Sequence, residues 1–334
     1  MLGVPAPSTD WETAKEHIIP TVVPRWSVEA ITLRALAEGH EAPDVAMALL
    51  AEHFAVCIVY VPEGTTHAPL VRTQDLQTWN VTWDEAFGAA HRNVRQSLTT
   101  GSALWFQLEG GCWEGRRPDE TCARQLLLPG HFGQLALDGD PVVIVARRDR
   151  LFVTGLGNDE GLVELARQAE AAMEEGPPGS GIALRLREDT WEVYLPPDGH
   201  PALPGFERLA VRTKAMDYTA QGRLLERIHS EAGDHVFVAS YTVVEHAGRY
   251  WAYCLWSEEQ SALLPRTEKV LFVRASPGHP FGERVGLAPW DQVASVVGDR
   301  IQLVRGLWPE RWRTAGFPTA EEFEGLDLEL PRSP

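Results

Sequence analysis

Cysteine and histidine are the residues of this chain that could hold a metal ion or carry out redox chemistry. Cys112, Cys122 and His131 lie within 20 residues of one another. Structural zinc sites use cysteines about two to four residues apart, and nine residues separate Cys112 from Cys122. The spacing therefore predicts no metal site. It leaves open either a redox pair formed by these two thiols or two unrelated, half-buried thiols.

Motifs for nucleophilic catalysis and phosphate binding are also missing from the sequence. No Gly-x-Ser-x-Gly elbow occurs. Segment 155–161 reads Gly-x-Gly-x-x-x-Gly, which is one residue longer than a dinucleotide-binding fingerprint. Asp159 and Glu160 would repel a phosphate at the start of the next helix, but they suit the helix dipole. We therefore predict a capped turn there, and the sequence assigns no catalytic residue, metal ligand or cofactor.

Aromatic residues give the best candidate for a binding site. The chain has 12 tryptophans, and Trp308 and Trp312 lie four residues apart with Arg311 between them. Tryptophan, tyrosine and arginine concentrate at protein interfaces. We therefore predict that Trp308, Arg311 and Trp312 contact a partner from an exposed helix. The strand at 249–256 has bulky side chains on both faces and is predicted to be covered on both.

The net charge of −17 comes mainly from the first half of the chain. Residues 1–178 contain 13 basic and 25 acidic residues, a net charge of −12, which leaves −5 for residues 179–334. Such an acidic chain argues against broad contact with nucleic acid or anionic lipid. The excess acid favours either plain solubility or recognition of a basic protein, as an immunity or inhibitor protein would require.

Hydrophobic periodicity and capping residues predict a first half with several helices. Helices are expected at 27–39, 43–54 and 82–98, the last with a capping box formed by Thr82 and Glu85. Cys57 lies in an apolar run predicted to be a buried strand. The remaining elements expected in this half are a hairpin at 102–113, a helix at 119–128, a hairpin of strands 142–146 and 151–154, and a helix from 158 or 159 to about 175.

The second half is predicted to be rich in strands. We expect a strand at 206–211, a helix at 218–232, an antiparallel meander over 235–273 that includes Cys254 in a core strand, a helix or strand at 290–297, a strand at 300–304 and a helical turn at 319–323. The segment 176–181 is the best linker, so we predict domains at 1–178 and 179–334, although strands 182–186 and 190–195 could belong to the first. The fold class is α+β, in two packed parts.

Two segments resemble a known bacterial family. The first contains Thr73, Asp75 and Leu76 in a turn, followed by a helix that ends in an alanine–x–x–asparagine pattern at Asn93. The second begins with the glycine–aspartate–proline turn at 139–141 and continues through a hairpin. Both are similar to the YtpQ-like proteins, a domain family of unknown function, over roughly residues 50–195. The family brings no catalytic residues, and residues 236–273 are only weakly similar to uncharacterised bacterial proteins.

Together these features predict a cytoplasmic bacterial protein that binds a protein partner and has no catalytic activity. The cytoplasm is expected because cysteines are sparse and the first residues do not form a secretory signal. Two alternatives stay open. One is a hydrolase or transferase with its site in a cleft between the halves, and the other is an acidic immunity or inhibitor protein that neutralises a basic partner. The oligomeric state is not predicted.

Overall fold

The structure, a computed structural model, describes residues 6–62, 68–98, 104–117, 122–276 and 283–329. It has an α+β fold with largely antiparallel sheets. The chain divides into two compact units: unit 1 contains residues 1–32 and 42–209, and unit 2 contains residues 33–41 and 210–334. The predicted boundary at 178/179 differs from this division, because the strand at 183–187 pairs within the sheet of unit 1.

Unit 1 contains a small sheet and a larger one. Its described elements are α1 (Trp11–His17), β1 (Ile18–Pro24), α2 (Arg25–Ala37, with its last turns in unit 2), β2 (Met47–Leu50), β3 (Phe54–Tyr60), α3 (Thr73–Trp79), α4 (Trp83–Leu98), β4 (Leu104–Gln107), β5 (Trp113–Arg116), β6 (Pro141–Arg147), β7 (Arg150–Gly155), α5 (Asp159–Glu174), β8 (Ala183–Arg187) and β9 (Thr190–Val193), together with short 3-10 helices at Glu109–Gly111, Cys122–Leu127 and Pro129–Gln134.

The larger sheet of unit 1 has six strands in the order β4-β5-β7-β6-β8-β9, and every neighbouring pair is antiparallel. The smaller sheet has the order β1-β3-β2. All seven residues of β3 are buried, because this apolar run is the central strand. The prediction of a core strand around Cys57 is therefore confirmed.

Several predicted elements of unit 1 are present. The capping box of α4 forms as predicted: the Thr82 amide donates to Glu85 Oε2 over 2.8 Å, and the Glu85 amide donates to Thr82 Oγ1 over 3.3 Å. The hairpin predicted at 102–113 appears as β4 and β5, with residues 102 and 103 outside the described part. The helix predicted at 119–128 is a 3-10 helix from Cys122, and residues 119–121 lie outside the described part.

The helix predicted at 43–54 is wrong, because this segment forms β2 instead. Its apolar residues match a helical period, but they also fit a strand that pairs with β3. Ala51 and Glu52 have positive φ angles of 48° and 60°, so the chain turns tightly there and returns as β3. The spacing of Val45, Leu49 and His53 suggests a helix locally, but long-range pairing with β3 decides the structure.

Unit 2 contains the end of one long helix and two four-stranded sheets. Its elements are α6 (Leu203–Ala232, with its first turns in unit 1), β10 (Phe237–Val238), β11 (Thr242–His246), β12 (Arg249–Ser257), β13 (Ala262–Pro265), β14 (Lys269–Arg274), β15 (Glu283–Pro289), α7 (Trp290–Val297), β16 (Ile301–Leu303), β17 (Arg311–Thr314) and α8 (Ala320–Glu324), with a 3-10 turn at Gly298–Arg300.

The strand predicted at 206–211 is wrong, because these residues lie inside the 30-residue helix α6. Phe206, Leu209 and Thr213 are all buried, and their spacing of three and four residues is helical. The helix predicted from residue 218 is the second half of the same element. The pattern at 206–211 fits either a strand or a helix, because Phe206, Leu209 and Val211 are all buried and do not lie on a single narrow face of α6.

The prediction of an antiparallel meander over 235–273 is correct only in part. Strands β11 and β12 form an antiparallel hairpin, but β12 pairs in parallel with β14. Strand β13 lies between them in sequence and joins the other sheet, in the order β10-β13-β17-β16. The chain therefore crosses between two sheets, which lets nearby strands run parallel despite the short turns. Cys254 in β12 is completely buried, as predicted.

Candidate functional site

The segment predicted to be an exposed aromatic helix, 308–312, is neither helical nor exposed. Residues from Arg311 onward form strand β17. Trp308 retains 7% and Arg311 1% of its accessible surface, while Trp312 is partly buried. The prediction of a helical surface is wrong because residues from Arg311 pair with β13 and β16 as an interior strand, and the Arg311 side chain donates to buried acceptors.

Arg311 is a buried cross-link between elements of unit 2. Its Nε donates to Gln221 Oε1 over 2.7 Å, and its Nη1 donates to the carbonyls of Ala239 and Leu263 over 2.6 and 3.0 Å. Its Nη2 donates to the Tyr218 carbonyl, and the guanidinium lies 5.2 Å from the centre of the Tyr218 ring. Burial lowers the pKa of Arg311 to about 10. All of these acceptors are neutral, so the side chain joins α6, β13 and β17 by geometry rather than by ion pairing.

Helix α6 also holds the backbone just before β17. Gln221 Nε2 donates to the Pro309 carbonyl over 2.6 Å, and the Tyr218 hydroxyl donates to the Glu310 carbonyl over 2.9 Å. Helix α6 therefore forms hydrogen bonds both with the Arg311 side chain and with the backbone carbonyls of Pro309 and Glu310. Its bulky residue types reflect internal packing, which is the ordinary reason for buried tryptophan and arginine side chains.

The four cysteines are free thiols and are all buried. Burial raises the pKa of Cys112 to about 12. The Cys122 thiol donates to the Asp149 carbonyl over 3.0 Å and to the Gly115 carbonyl over 3.3 Å. Of the two interpretations that the sequence allows, a redox pair or two unrelated thiols, the structure therefore favours two unrelated thiols at Cys112 and Cys122. Burial gives Cys112 a raised pKa, whereas thiolate chemistry needs a lowered one.

The most exposed large apolar residues of unit 1 include two on β4, an edge strand of the six-stranded sheet. Leu104 is 61% exposed and Phe106 44% exposed. Strand β4 pairs with β5 on one side, and no described residue pairs with its other side. The strand reads Leu-Trp-Phe-Gln and has no charged residue or proline. It thus lacks the features by which proteins protect sheet edges from further pairing.

The opposite edge of the same sheet, β9, is protected differently. Val193 at the end of β9 is 46% exposed, and Leu195, two residues after the strand, is 51% exposed. However, Glu192 lies within the strand, where it faces Arg185 at 3.7 Å, and two prolines follow at 196 and 197. Charge and proline both disfavour the addition of another strand. Within the part of the chain that the structure describes, β4 is therefore the edge strand of this sheet that has neither a charged residue nor a proline to oppose pairing.

Strand β4 is held firmly on its paired side. The Trp105 ring lies against Phe132 with centroids 5.9 Å apart. A Cβ atom on Gly115 would lie 2.9 Å from the Trp105 ring, so only glycine fits opposite it. Alternation then places Leu104 and Phe106 on the other face of the sheet. Arg116, paired with Leu104 in the register, lies 5.3 Å from the centre of the Phe106 ring.

The turn after β4 is fixed to the start of α5. Asn158 caps α5 by accepting from the Gly161 amide over 2.9 Å, and its Nδ2 donates to the Gly110 carbonyl over 2.7 Å. Gly110 and Gly111 have positive φ angles of 63° and 74°, and a Cβ on Gly111 would lie 2.6 Å from Asn158 Nδ2. The predicted capped turn at 155–161 is thus confirmed, and it positions β4 against α5.

A shallow depression lies where β4 ends. It is lined by three residues that follow Phe106 and three from α5: Gln107, Leu108, Glu109, Glu164, Arg167 and Gln168. Arg167 donates to both oxygens of Glu164 over 2.8 and 2.6 Å, and these bonds lower the pKa of Glu164. No ion pair within 4 Å joins Glu109 to a described residue. The depression and the exposed side of β4 together are called the edge groove.

A second group of aromatic side chains lies on the sheet β11-β12-β14-β15 of unit 2. Cys254 and Trp256 are buried on one face of β12, while Trp251 and Tyr253 on the other are half-buried, so the second of the two faces predicted to be covered is only partly covered. Lys269 lies 5.1 Å from the centre of the Trp251 ring and also pairs with Glu329. Trp251 and Lys269 lie on the interior strands β12 and β14, which offer no strand edge for pairing, so the edge groove is the stronger candidate.

Comparisons with known proteins found no matching family model, curated protein or solved structure. The resemblance to the YtpQ-like proteins therefore stays a prediction. Among the described residues, no group of three or more His, Cys, Asp or Glu side chains is arranged to hold a metal ion. None of the helices in the described ranges is both long enough and apolar enough to cross a bilayer.

Proposed function

We propose that this chain is a non-catalytic protein-binding protein that receives an extended segment of its partner as an added strand on β4. The observation that carries the proposal is the unprotected edge of β4, which combines exposed Leu104 and Phe106 with no charge or proline in the strand. Edge strands of this kind offer a row of backbone donors and acceptors, and many recognition domains bind peptides by extending such a sheet.

The added strand is proposed to run antiparallel to β4, because all neighbouring pairs in this sheet are antiparallel. Backbone hydrogen bonds would supply affinity that is independent of sequence. Every second side chain of the partner would then lie on the face of Leu104 and Phe106. Apolar side chains at those positions would remove the two exposed residues from water, at about 25 cal/mol per Å² of apolar surface.

Two variants test the use of β4. Phe106→Lys places a charge on the proposed edge, and Val193→Lys places the same charge on the opposite edge, where the exposed fraction is similar, 46% against 44%. Partner proteins are captured from a lysate of the source organism with tagged wild type and both variants, and then purified for a binary Kd measurement. We expect one partner to bind wild type and Val193→Lys, and to bind Phe106→Lys at least about tenfold more weakly.

Circular dichroism of both variants is the control for folding. Equal partner affinity for Phe106→Lys and wild type would contradict the proposal. A complete loss of the partner by Val193→Lys would also contradict it, because the effect would then not belong to β4.

The cytoplasm is the location we propose, since four free thiols suit a reducing compartment. The family relationship over 50–195 remains a proposal of the same kind.

A further inference from the structure

The edge groove has an unequal distribution of charge along its length. Leu104 and Phe106 form an apolar part, and the depression at the end of β4 contains two carboxylates, Glu109 and Glu164, against one cation, Arg167. Arg167 is bound bidentately to Glu164 and neutralises it. Glu109 is exposed and has no described ion-pair partner within 4 Å. The charge of Glu109 also interacts with that of Arg167, so the two carboxylates and one cation leave a net charge of −1 at this end of the groove.

We infer that the partner segment is basic at the end that passes this depression, with a lysine or arginine side chain close to Glu109. The inference rests on the proposed function, since it assumes that a strand is added to β4. Strand β4 runs from Leu104 to Gln107, and Glu109 follows two residues later. An antiparallel partner strand starts at the Gln107 end, so the basic residues precede the apolar, alternating part of the segment.

The face of the sheet that carries Leu104 and Phe106 also carries charged residues, and their charges balance. Glu114 is buried, its Oε2 accepts from Arg116 Nη2 over 2.8 Å, and Arg150 forms an ion pair with the same carboxylate at 3.5 Å. Arg150 also pairs with Glu175, just after α5, at 2.8 Å. These charges compensate one another. The selection of a cation therefore falls to the depression rather than to the apolar part.

The charge of the whole chain acts in the same direction. A net charge of −17, with −12 in residues 1–178, attracts a basic segment over a distance of about one Debye length, roughly 8–10 Å. Long-range attraction does not choose an orientation, because it acts on any basic segment. The position of Glu109 at one end of β4 would choose the orientation of the bound segment. Peptides with the charged residues at opposite ends can therefore test the inference.

The test uses three fluorescein-labelled, acetylated peptides that share a core of alternating valine and threonine. The first begins with two arginines, the second begins with two glutamates, and the third ends with two arginines. Fluorescence anisotropy with the full chain at low salt gives a Kd for each. We expect the first peptide to bind about fivefold or more tightly than the third, and the second to bind most weakly.

Glu109→Lys is the variant that tests the charge, and Phe106→Lys tests the strand. We expect Glu109→Lys to remove or reverse the preference for leading arginines while the valine–threonine core still binds. Phe106→Lys should weaken all three peptides together. Equal binding of the first and third peptides, unchanged in Glu109→Lys, would overturn the inference and leave the proposed function standing.

Other outcomes bear on the proposed function itself. If Phe106→Lys bound every peptide as well as wild type does, strand addition on β4 would be wrong and the inference would fall with it. If no peptide bound wild type, a basic extended segment would be excluded as the occupant. Sedimentation of the free chain completes the test: a dimer that Phe106→Lys dissociates and Val193→Lys retains would identify a second copy as the occupant, contrary to the inference.

Discussion

Arg311 is of a residue type that predicts an exposed interface, but its side chain is buried and hydrogen-bonded inside unit 2. Tryptophan and arginine together are typical of interfaces, but the same residues suit a buried junction when neutral acceptors surround the guanidinium. Four such acceptors come from Gln221, Ala239, Leu263 and Tyr218. These partners are distant in sequence, so no local pattern reveals them.

Replacing Arg311 with methionine is expected to destabilise the chain strongly. Methionine keeps much of the volume but takes the guanidinium donor away from Gln221 Oε1 and the Ala239 carbonyl, and an unpaired buried acceptor costs about 1–3 kcal/mol. The Leu263 carbonyl keeps its hydrogen bond from the Ala239 amide. We expect a loss of about 3 kcal/mol or more in the free energy of unfolding, measured by urea denaturation. Arg313→Met is the matched control, because its side chain in the same strand is 50% exposed and it should cost less than about 0.5 kcal/mol. Similar losses in both variants would contradict the role assigned to Arg311.

Asp217 in α6 is expected to make stability depend on pH. Burial raises the pKa of Asp217 from 3.8 to about 7, and the carboxyl forms no hydrogen bond or ion pair with a described residue. The folded state therefore holds the proton more tightly than the unfolded state does. The resulting contribution to stability is complete below the unfolded pKa of 3.8 and is lost as the pH rises through about 7.

Asp217→Asn removes this titration. Relative to wild type, we expect the variant to gain about 2 kcal/mol in unfolding free energy at pH 8 and little at pH 4, since three pKa units correspond to at most about 4 kcal/mol. Urea denaturation across this pH range provides the measurement. Asp291→Asn is the control, because that side chain is 89% exposed. A constant difference between Asp217→Asn and wild type at all pH values would show that burial does not shift this pKa.

At the scale of elements, the sequence predicts where helices are capped, but it does not predict which strands pair. The capping boxes at Thr82 and Thr319, and the Asn158 cap, all follow from short-range chemistry that the sequence displays directly. The strand at Met47–Leu50 and the first half of α6 were predicted wrongly, because their structure depends on partners far away in sequence. The exposed edge of β4 was not predicted for the same reason: a hairpin pattern does not tell which strand stays unpaired.

Gly155, at the end of β7, lies so close to the backbone of Asp138 that the turn before β6 depends on the absence of a side chain at this position. A Cβ at this position would lie 2.2 Å from the Asp138 carbonyl oxygen and 2.4 Å from its amide nitrogen. Both are backbone atoms, so the turn before β6 would have to move. We expect Gly155→Ala to lower the midpoint of urea denaturation markedly, by the equivalent of about 3 kcal/mol or more. Gly130→Ala meets no atom within 4 Å and should cost little; equal effects would exclude steric contact as the cause.

At the scale of the whole molecule, the proposed function assigns charge and the edge groove to different parts of binding. Under that proposal, the charge of −17 would act before contact, while Leu104 and Phe106 would act only after the strand is in place. Electrostatic attraction changes mainly the association rate, and desolvated contacts change mainly the dissociation rate. The same chain therefore allows the two contributions to be separated.

The kinetics of the arginine-leading peptide, measured by surface plasmon resonance at increasing salt, should separate them. We expect the association rate constant to fall by about tenfold or more as the charges are screened, and the dissociation rate constant to change by less than about twofold. Phe106→Lys should raise the dissociation rate constant instead. Val193→Lys, which changes the net charge by the same single unit, should alter only the association rate, and only slightly. If salt acted on dissociation alone, or if both lysine variants changed the same rate constant, long-range charge and the β4 contact would not be the separate contributions that the structure indicates.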